Sequence, residues 1–222
     1  MSRRSLLAVG SAATAGLAVG GGAAVSATPA PEPADPWTRL TTGNKRFAAG
    51  RPRHPHQSPD YRESLATGQQ PVACVLGCAD SRVPAELLFD QGLGDLFSVR
   101  AVGEVLDDAV VGSIEYAVEH LHVPLVVILG HSECGAVKAA IDLVRGQSHV
   151  TGSVDTVARA IEATVRATRP DPDDKKFTAA CVRNQTTQIK AELTTRSHAI
   201  RTVGPRIVTA VYDLRTGLVT SH

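Results

Sequence analysis

The sequence predicts an α/β protein with a mostly parallel central sheet flanked by helices. Three observations support this fold class. Short apolar runs of strand character alternate along the chain with longer segments of helical pattern. Two of these runs, residues 71–77 and 124–130, are followed at once by potential metal ligands, Cys78 and His131. The chain has 222 residues, of which 43% are hydrophobic, so it can form one such domain with a sizeable core.

Helices are predicted where apolar residues recur at helical spacing or where a capping residue precedes proline. The first carries Trp37, Leu40 and Phe47 among polar residues and ends near Gly50. Ser58, which precedes a proline, begins the second. The predicted helical segments are residues 37–49, 58–68, 84–89, 107–121, 136–144, 154–168 and 176–198.

Strands are predicted at the apolar runs between these helices. They are residues 71–77, 95–100, 124–130 and 206–213, and a turn at residues 216–217 leads into a last apolar pair at 218–219. Neighbouring parallel strands end at the same edge of a sheet, the region where open α/β sheets bind ligands. We therefore expect Cys78 and His131 to lie close together.

The N-terminal residues 1–27 have the features of an export signal. Arg3 and Arg4 precede a stretch rich in Ala, Gly, Leu and Val, which has no acidic residue and ends at small residues suited to cleavage. The paired arginines resemble a twin-arginine signal, so we expect an exported protein, either secreted or in the cell envelope. A membrane anchor is the alternative, which polar Ser11 and Thr14 and three consecutive glycines disfavour.

A proline-rich linker at residues 28–36 separates this signal from the rest of the chain, because no helix could cross its four prolines. Residues 37–222 are then expected to form a single zinc-binding domain. The formal net charge is +1 and no cluster of Lys and Arg is present. This charge pattern excludes a dominant nucleic-acid surface.

Three residues form a candidate zinc site. Cys78, His131 and Cys134 would supply two thiolates and one imidazole, which leaves the fourth tetrahedral position for water or substrate, as in catalytic sites. Cys134 begins a helix, whose positive end favours the thiolate. The alternative is a disulfide between Cys78 and Cys134, which the ample apolar sequence and the nearby histidine disfavour. Cys74 and Cys181 are expected to be buried small hydrophobes.

A second pair of residues follows the first ligand. Asp80 can accept a hydrogen bond from zinc-bound water, and Arg82 can hold that carboxylate in a forked, charge-assisted pair. Two other interpretations stay open: Asp80 swings onto zinc itself, or the two residues form an ordinary turn with a surface ion pair.

These motifs resemble the β-class carbonic anhydrases. Cys-x-Asp-x-Arg at residues 78–82, followed by His-x-x-Cys at 131–134, is a specific combination, and the similarity extends from about Trp37 to Val219. The resemblance implies one zinc ion per subunit on Cys78, His131 and Cys134, with a catalytic dyad of Asp80 and Arg82. It further implies four substrate-binding residues, of which the first acts across a subunit interface: Gln69, Phe97, Tyr116 and Gly135.

The implied reaction is the reversible hydration of carbon dioxide to bicarbonate by a zinc-bound hydroxide, in a homodimer or a multiple of dimers. The chain departs from many family members at Ala101 and Glu104, where they have asparagine, and has Val75 where the bicarbonate-regulated branch has tryptophan. Val75 and Gln69 favour a zinc site that is open to water. Two alternatives remain: hydrolysis of another small heterocumulene such as carbon disulfide, and a non-catalytic protein with structural zinc or disulfides.

Overall fold

Five strands form the central sheet of residues 33–222, the part of the chain that the computed structural model describes. In chain order the strands are β1 Ala73–Gly77, β2 Leu96–Arg100, β3 Leu125–His131, β4 Arg206–Tyr212 and β5 Val219–Ser221. Their spatial order is β2-β1-β3-β4-β5, in which the first four are parallel and β5 is antiparallel to β4. The predicted α/β fold with a mostly parallel sheet is confirmed.

The predicted export signal at residues 1–27 lies outside the described residues, as does the linker up to residue 32. Within residues 33–222, none of the helices combines the length and apolarity that a membrane span requires.

Helices cover both faces of the sheet. They are α1 Pro36–Ala48, α2 Pro59–Ser64, α3 Ala85–Leu88, α4 Asp108–Glu119, α5 Gly135–Val144, α6 Ser153–Ala167, α7 Asp174–Arg196 and α8 His198–Val203. The predicted cap of α2 is confirmed, because the Ser58 side chain accepts a hydrogen bond from the Tyr61 backbone N–H at 3.1 Å. The helix ends at Ser64, earlier than predicted.

The predicted helix over residues 176–198 is confirmed as α7, which begins and ends two residues earlier, and a short further helix, α8, follows it. Ser197 is extended, with φ −85° and ψ 122°, and it separates α7 from α8. Its hydroxyl accepts a hydrogen bond from the Ile200 backbone N–H at 3.2 Å, which caps the second helix. A serine competes well for such a cap, and this local bond ends the helical pattern.

Alternating residues of the central strands pack into two apolar layers. Leu76 and Ile128 point to one face and contact a cluster that includes Leu193 of α7. Val75 and Val127 point to the other face, toward residues of α1 and α3. Because β1 and β3 are buried along their whole length, the sheet is a rigid platform for whatever follows their ends.

The register of β1 against β3 brings the two predicted metal ligands together. Gly77 is paired with Leu129, so the next residue, Cys78, lies beside the end of β3, where His131 is the last residue. On the other side of β1, Gly77 is paired with Arg100 at the end of β2. Three strands therefore end at one edge of the sheet, and the candidate site lies there.

Candidate metal centre

Cys78, His131 and Cys134 converge as the sequence predicts. One ligand atom from each residue lies within 4.8 Å of the other two, and all three side chains are buried. Cys78 follows β1, His131 ends β3, and Cys134 caps the N-terminus of α5, where the helix dipole favours negative charge. A divalent cation placed between them would contact two sulfurs and one nitrogen, a donor set that suits zinc.

Cys78 and Cys134 interact directly, and this contact shifts the pKa values of the two thiols in opposite directions. A hydrogen bond from Cys134 is the main reason that the pKa of Cys78 is lowered, and the backbone amides of Gly103 and Asp80 add to this effect. The same interaction with Cys78 raises the pKa of Cys134. One proton is therefore held between a thiolate and a thiol, and a bound cation would take its place.

His131 is oriented to offer a lone pair to a metal. Its Nδ1 lies 2.9 Å from the Ser132 carbonyl oxygen, to which it donates, so the free lone pair is on Nε2. Nε2 is buried and has no hydrogen-bond partner. A buried nitrogen without a partner is costly unless something binds it. The orphaned nitrogen beside two cysteine sulfurs fits a zinc ion.

All four cysteines are free in the structure, so no disulfide joins Cys78 to Cys134. Cys74 and Cys181 are buried, as predicted. Burial raises the pKa of Cys74 to about 12, and it also raises the pKa of Cys181. Both thiols are therefore neutral and act as small core residues, whereas Cys78 and Cys134 belong to the charged cluster.

Asp80 and Arg82 form the predicted forked pair. Arg82 donates from Nε to Asp80 Oδ1 at 2.9 Å and from Nη2 to Oδ2 at 2.7 Å, and its backbone N–H also donates to Oδ1. This pairing holds the pKa of Asp80 below its ordinary value. Asp80 Oδ2 lies 3.9 Å from His131 Nε2. The Asp80 carboxylate thus lies next to the place where an ion bound to His131 Nε2 would sit.

Arg100 holds the loop that carries Asp80, a role that the sequence analysis missed. From the end of β2 it donates through Nε to the Cys78 carbonyl oxygen at 3.0 Å and through Nη2 to the Asp80 carbonyl oxygen at 2.6 Å. Two charge-assisted bonds to alternate carbonyls fix the loop on both sides of residue 79. The only sign of these contacts in the sequence was that Arg100 ends a strand predicted to belong to the same sheet as β1.

Glu104 is a second feature that sequence analysis did not place. It is 2% exposed, has φ +55°, and its Oε1 has no hydrogen-bond partner. Burial, and then the negative charge of Cys78, raise its pKa well above the usual value. A buried carboxyl group with a raised pKa therefore stands near the cluster.

An apolar cavity of about 580 Å³ opens beside the cluster. Cys78 and Asp80 line one part of it, and Gly135 lies at its edge where α5 begins. Most of the remaining wall is aliphatic, including Val102, Ala139, Val150 and Val157. Such a surface suits a small, uncharged substrate better than a large polar one.

Gln69, Phe97 and Tyr116 do not line this cavity. Gln69 precedes β1 and faces a different cavity, of about 500 Å³. Phe97 is paired with Cys74, four residues before Cys78, which corresponds to about 13 Å along a strand. Its ring lies 6.0 Å from that of Tyr116, which is 47% exposed. Of the four predicted substrate-binding residues, only Gly135 lies beside the cluster of its own chain.

The fold and the cluster together define an α/β protein with a buried Cys-His-Cys group, able to hold a metal ion, at the carboxyl ends of its strands. Residues 73–219 match the family model described as carbonic anhydrase. The chain therefore belongs to the carbonic anhydrase family, and its solved structural relatives belong to the β class.

Relatives with related sequences carry the same family name. The chain is 52% identical over 143 residues to carbonic anhydrase 2 of Mycobacterium tuberculosis, and the aligned region covers 64% of this chain and 69% of the relative. It is 42% identical over 193 residues to the carbonic anhydrase of Mycolicibacterium smegmatis, and that aligned region covers 86% of this chain and 94% of the relative.

Solved structures share the fold at lower identity. A β-carbonic anhydrase of Aspergillus fumigatus has a TM-score of 0.65 at 25% identity and covers 85% of this chain and 91% of its own. A tetrameric β-carbonic anhydrase of Sordaria macrospora has a TM-score of 0.65 at 24% identity and covers 81% and 93%.

Metal content will separate the two kinds of cysteine. We expect the wild type to retain about one zinc ion per chain and Cys134→Ala to lose most of it, since a three-ligand site cannot spare a thiolate. Cys74→Ala removes an equally buried thiol outside the cluster and serves as the control. Zinc is measured by plasma mass spectrometry on purified protein, and equal zinc in both variants would contradict the assignment.

Proposed function

We propose that this chain performs the carbonic anhydrase reaction, the reversible hydration of carbon dioxide, at a zinc ion held by Cys78, His131 and Cys134. The unpartnered Nε2 of His131 within reach of two cysteine sulfurs is the observation that carries the proposal. When bound, zinc supplies the Lewis acidity that makes water a nucleophile near neutral pH. The roles of the other residues follow from their positions.

Asp80 would orient the attacking water. Both oxygens of its carboxylate are engaged by Arg82, and Oδ2 faces the cluster at 3.9 Å from His131 Nε2. An ionised carboxylate accepts hydrogen bonds only, so a water beside Oδ2 must turn a hydrogen toward it and its lone pair elsewhere. Because Arg82 already occupies Asp80, this geometry supports the open form, in which Asp80 does not bind the metal.

The apolar cavity and Gly135 would hold the substrate. Carbon dioxide has no net charge, and the aliphatic wall formed in part by Val102 and Val157 can accept it without losing hydrogen bonds. Gly135 is the first residue of α5, and backbone N–H groups in a first helical turn have no partner within the helix. We propose that its amide donates to an oxygen of substrate or product.

Gln69, Phe97 and Tyr116 would complete the site of a partner subunit. The register of β1 against β2 places Phe97 away from the cluster of its own chain, and Gln69 lines a different cavity. Tyr116 is half exposed, and Phe97 packs beside it. The tetrameric relative from Sordaria macrospora supports an oligomer. We propose a homodimer, or a multiple of dimers, in which each site takes residues from two chains.

Carbon disulfide hydrolysis would use the same residues, and the same preparations can be assayed with both substrates. A purely structural zinc site is less well supported, because a structural site uses four protein ligands. Here the cluster has three ligand residues, of which Cys78 lines an open cavity together with the ion-paired carboxylate of Asp80.

Export through residues 1–27 is a separate proposal, supported by Arg3 and Arg4 ahead of a mildly apolar segment. We expect the double change Arg3→Lys and Arg4→Lys to retain the protein in the cytoplasm, because the twin-arginine route reads both guanidinium groups. The control is the pair Arg51→Lys and Arg53→Lys beyond the signal. Immunoblots of fractionated cells measure the distribution, and normal export of the first variant would contradict this route.

The Asp80 role predicts a loss of turnover without loss of metal. Asp80→Asn keeps the size of the side chain but can donate a hydrogen bond, so it no longer enforces one orientation of water. We expect zinc content near that of the wild type and a fall in kcat of about 100-fold. Stopped-flow carbon dioxide hydration gives the rate, and near-native turnover would contradict the role.

The composite site predicts complementation between inactive subunits. Gln69→Ala and Asp80→Asn are co-expressed with different tags, and the mixed dimer is purified over both tags. If Gln69 serves the partner, one site carries both changes and the other is intact, so activity returns to about half that of the wild type. If each chain serves itself, both sites carry a change, and the mixed dimer stays as slow as its parents.

A further inference from the structure

A short 3₁₀ turn, Val102–Glu104, contacts the Cys-His-Cys cluster through its backbone. The Gly103 N–H donates to Cys78 Sγ at 3.4 Å. Gly103 has φ +68°, which favours glycine, and a Cβ there would lie 2.7 Å from Ile161 Cδ1 and 2.8 Å from Ala136 Cβ. The turn is therefore packed tightly between the strand end and helices α5 and α6.

The other polar group of Gly103 is held by a buried glutamine. Gln185 of α7 donates from Nε2 to the Gly103 carbonyl oxygen at 3.3 Å. Its Oε1 accepts from the Thr164 hydroxyl of α6 at 2.8 Å. Gln185 is 2% exposed and Thr164 is 5% exposed. A continuous path of hydrogen bonds thus runs from α6 through α7 to the sulfur of Cys78.

This path is hard to explain by stability alone. Burying an amide costs folding free energy unless its hydrogen bonds are satisfied, whereas leucine at the same place would bury apolar surface without that requirement. Gln185 lies among buried residues of α7 that are mostly apolar, such as Val182 and Ile189. What the glutamine adds is a directed bond that fixes Gly103, and through it the donor to Cys78.

We propose that Gln185, oriented by Thr164, is a positioning residue of the metal centre, which holds Gly103 so that its N–H donates to the Cys78 sulfur. The proposal rests on the proposed zinc site and deepens it. A hydrogen bond to a thiolate ligand stabilises its charge and orients its lone pairs. Loss of the path should therefore weaken zinc binding and alter the electronic environment of the metal, even though Gln185 touches neither metal nor substrate.

The test uses the full folded chain and two readouts besides activity. Zinc affinity is measured by competition with a chromophoric chelator, and the sulfur-to-metal charge-transfer absorption is recorded on the cobalt(II)-substituted protein. For Gln185→Leu we expect about a tenfold loss of zinc affinity, the lower end of the range for partners of metal ligands, and a shifted absorption band. Thr164→Val, which is nearly isosteric, should change both readouts in the same direction by a smaller amount.

A double-mutant cycle and a neighbouring residue provide the controls. Because Thr164 acts through Gln185, the double variant should bind zinc about as weakly as Gln185→Leu alone. Asn184→Ala removes an adjacent amide of α7, which bonds to Thr168 at 2.9 Å and not to Gly103, and should leave both readouts unchanged.

The outcomes distinguish this inference from the proposed function. If the wild type binds no zinc, both fall. If the wild type binds zinc and Gln185→Leu and Thr164→Val match it in affinity and absorption, only the positioning role is overturned. Equal effects from Asn184→Ala would also overturn it, since they would show a general response of α7. Should Gln185→Leu not fold, Thr164→Val decides alone.

Discussion

The candidate site depends on one constraint, the parallel register of β1 against β3. Pairing of Gly77 with Leu129 brings the residue after β1 and the last residue of β3 to the same edge of the sheet. A shift of one residue would turn every side chain of the strand to the opposite face, where it would no longer fit the apolar layer packed there, so the two layers enforce the register. Packing far from the cluster therefore sets the distance between Cys78 and His131.

Cys78 and Asp80 carry negative charge at this edge of the sheet, and backbone N–H groups and arginine side chains stabilise it. The Cys78 sulfur accepts a hydrogen bond from the Gly103 N–H, and Arg82 is paired with the Asp80 carboxylate. Arg100 fixes the loop that joins Cys78 to Asp80. Burial, and then the charge of Cys78, raise the pKa of Glu104. The site is thus arranged to hold a cation on two sulfurs while leaving one ionised carboxylate at its border.

The sequence was sufficient for the parts of the site that follow strands. Cys78 and His131 could be paired because each ends an apolar run, and Asp80 and Arg82 because they lie two and four residues further on. Contacts that join distant segments left no such signal. Gln185 bonds to Gly103 across 82 positions, and within α7 it is one of many polar residues. The break at Ser197 depended on a local cap that competes with a helical pattern.

The central claim is that one zinc ion is held jointly by Cys78, His131 and Cys134. Anomalous diffraction recorded on both sides of the zinc absorption edge, from crystals of protein purified without added metal, tests it most directly. The account predicts one zinc peak per chain within bonding distance of both sulfurs and of His131 Nε2. A peak bound elsewhere, or three unligated side chains with no peak between them, would contradict it.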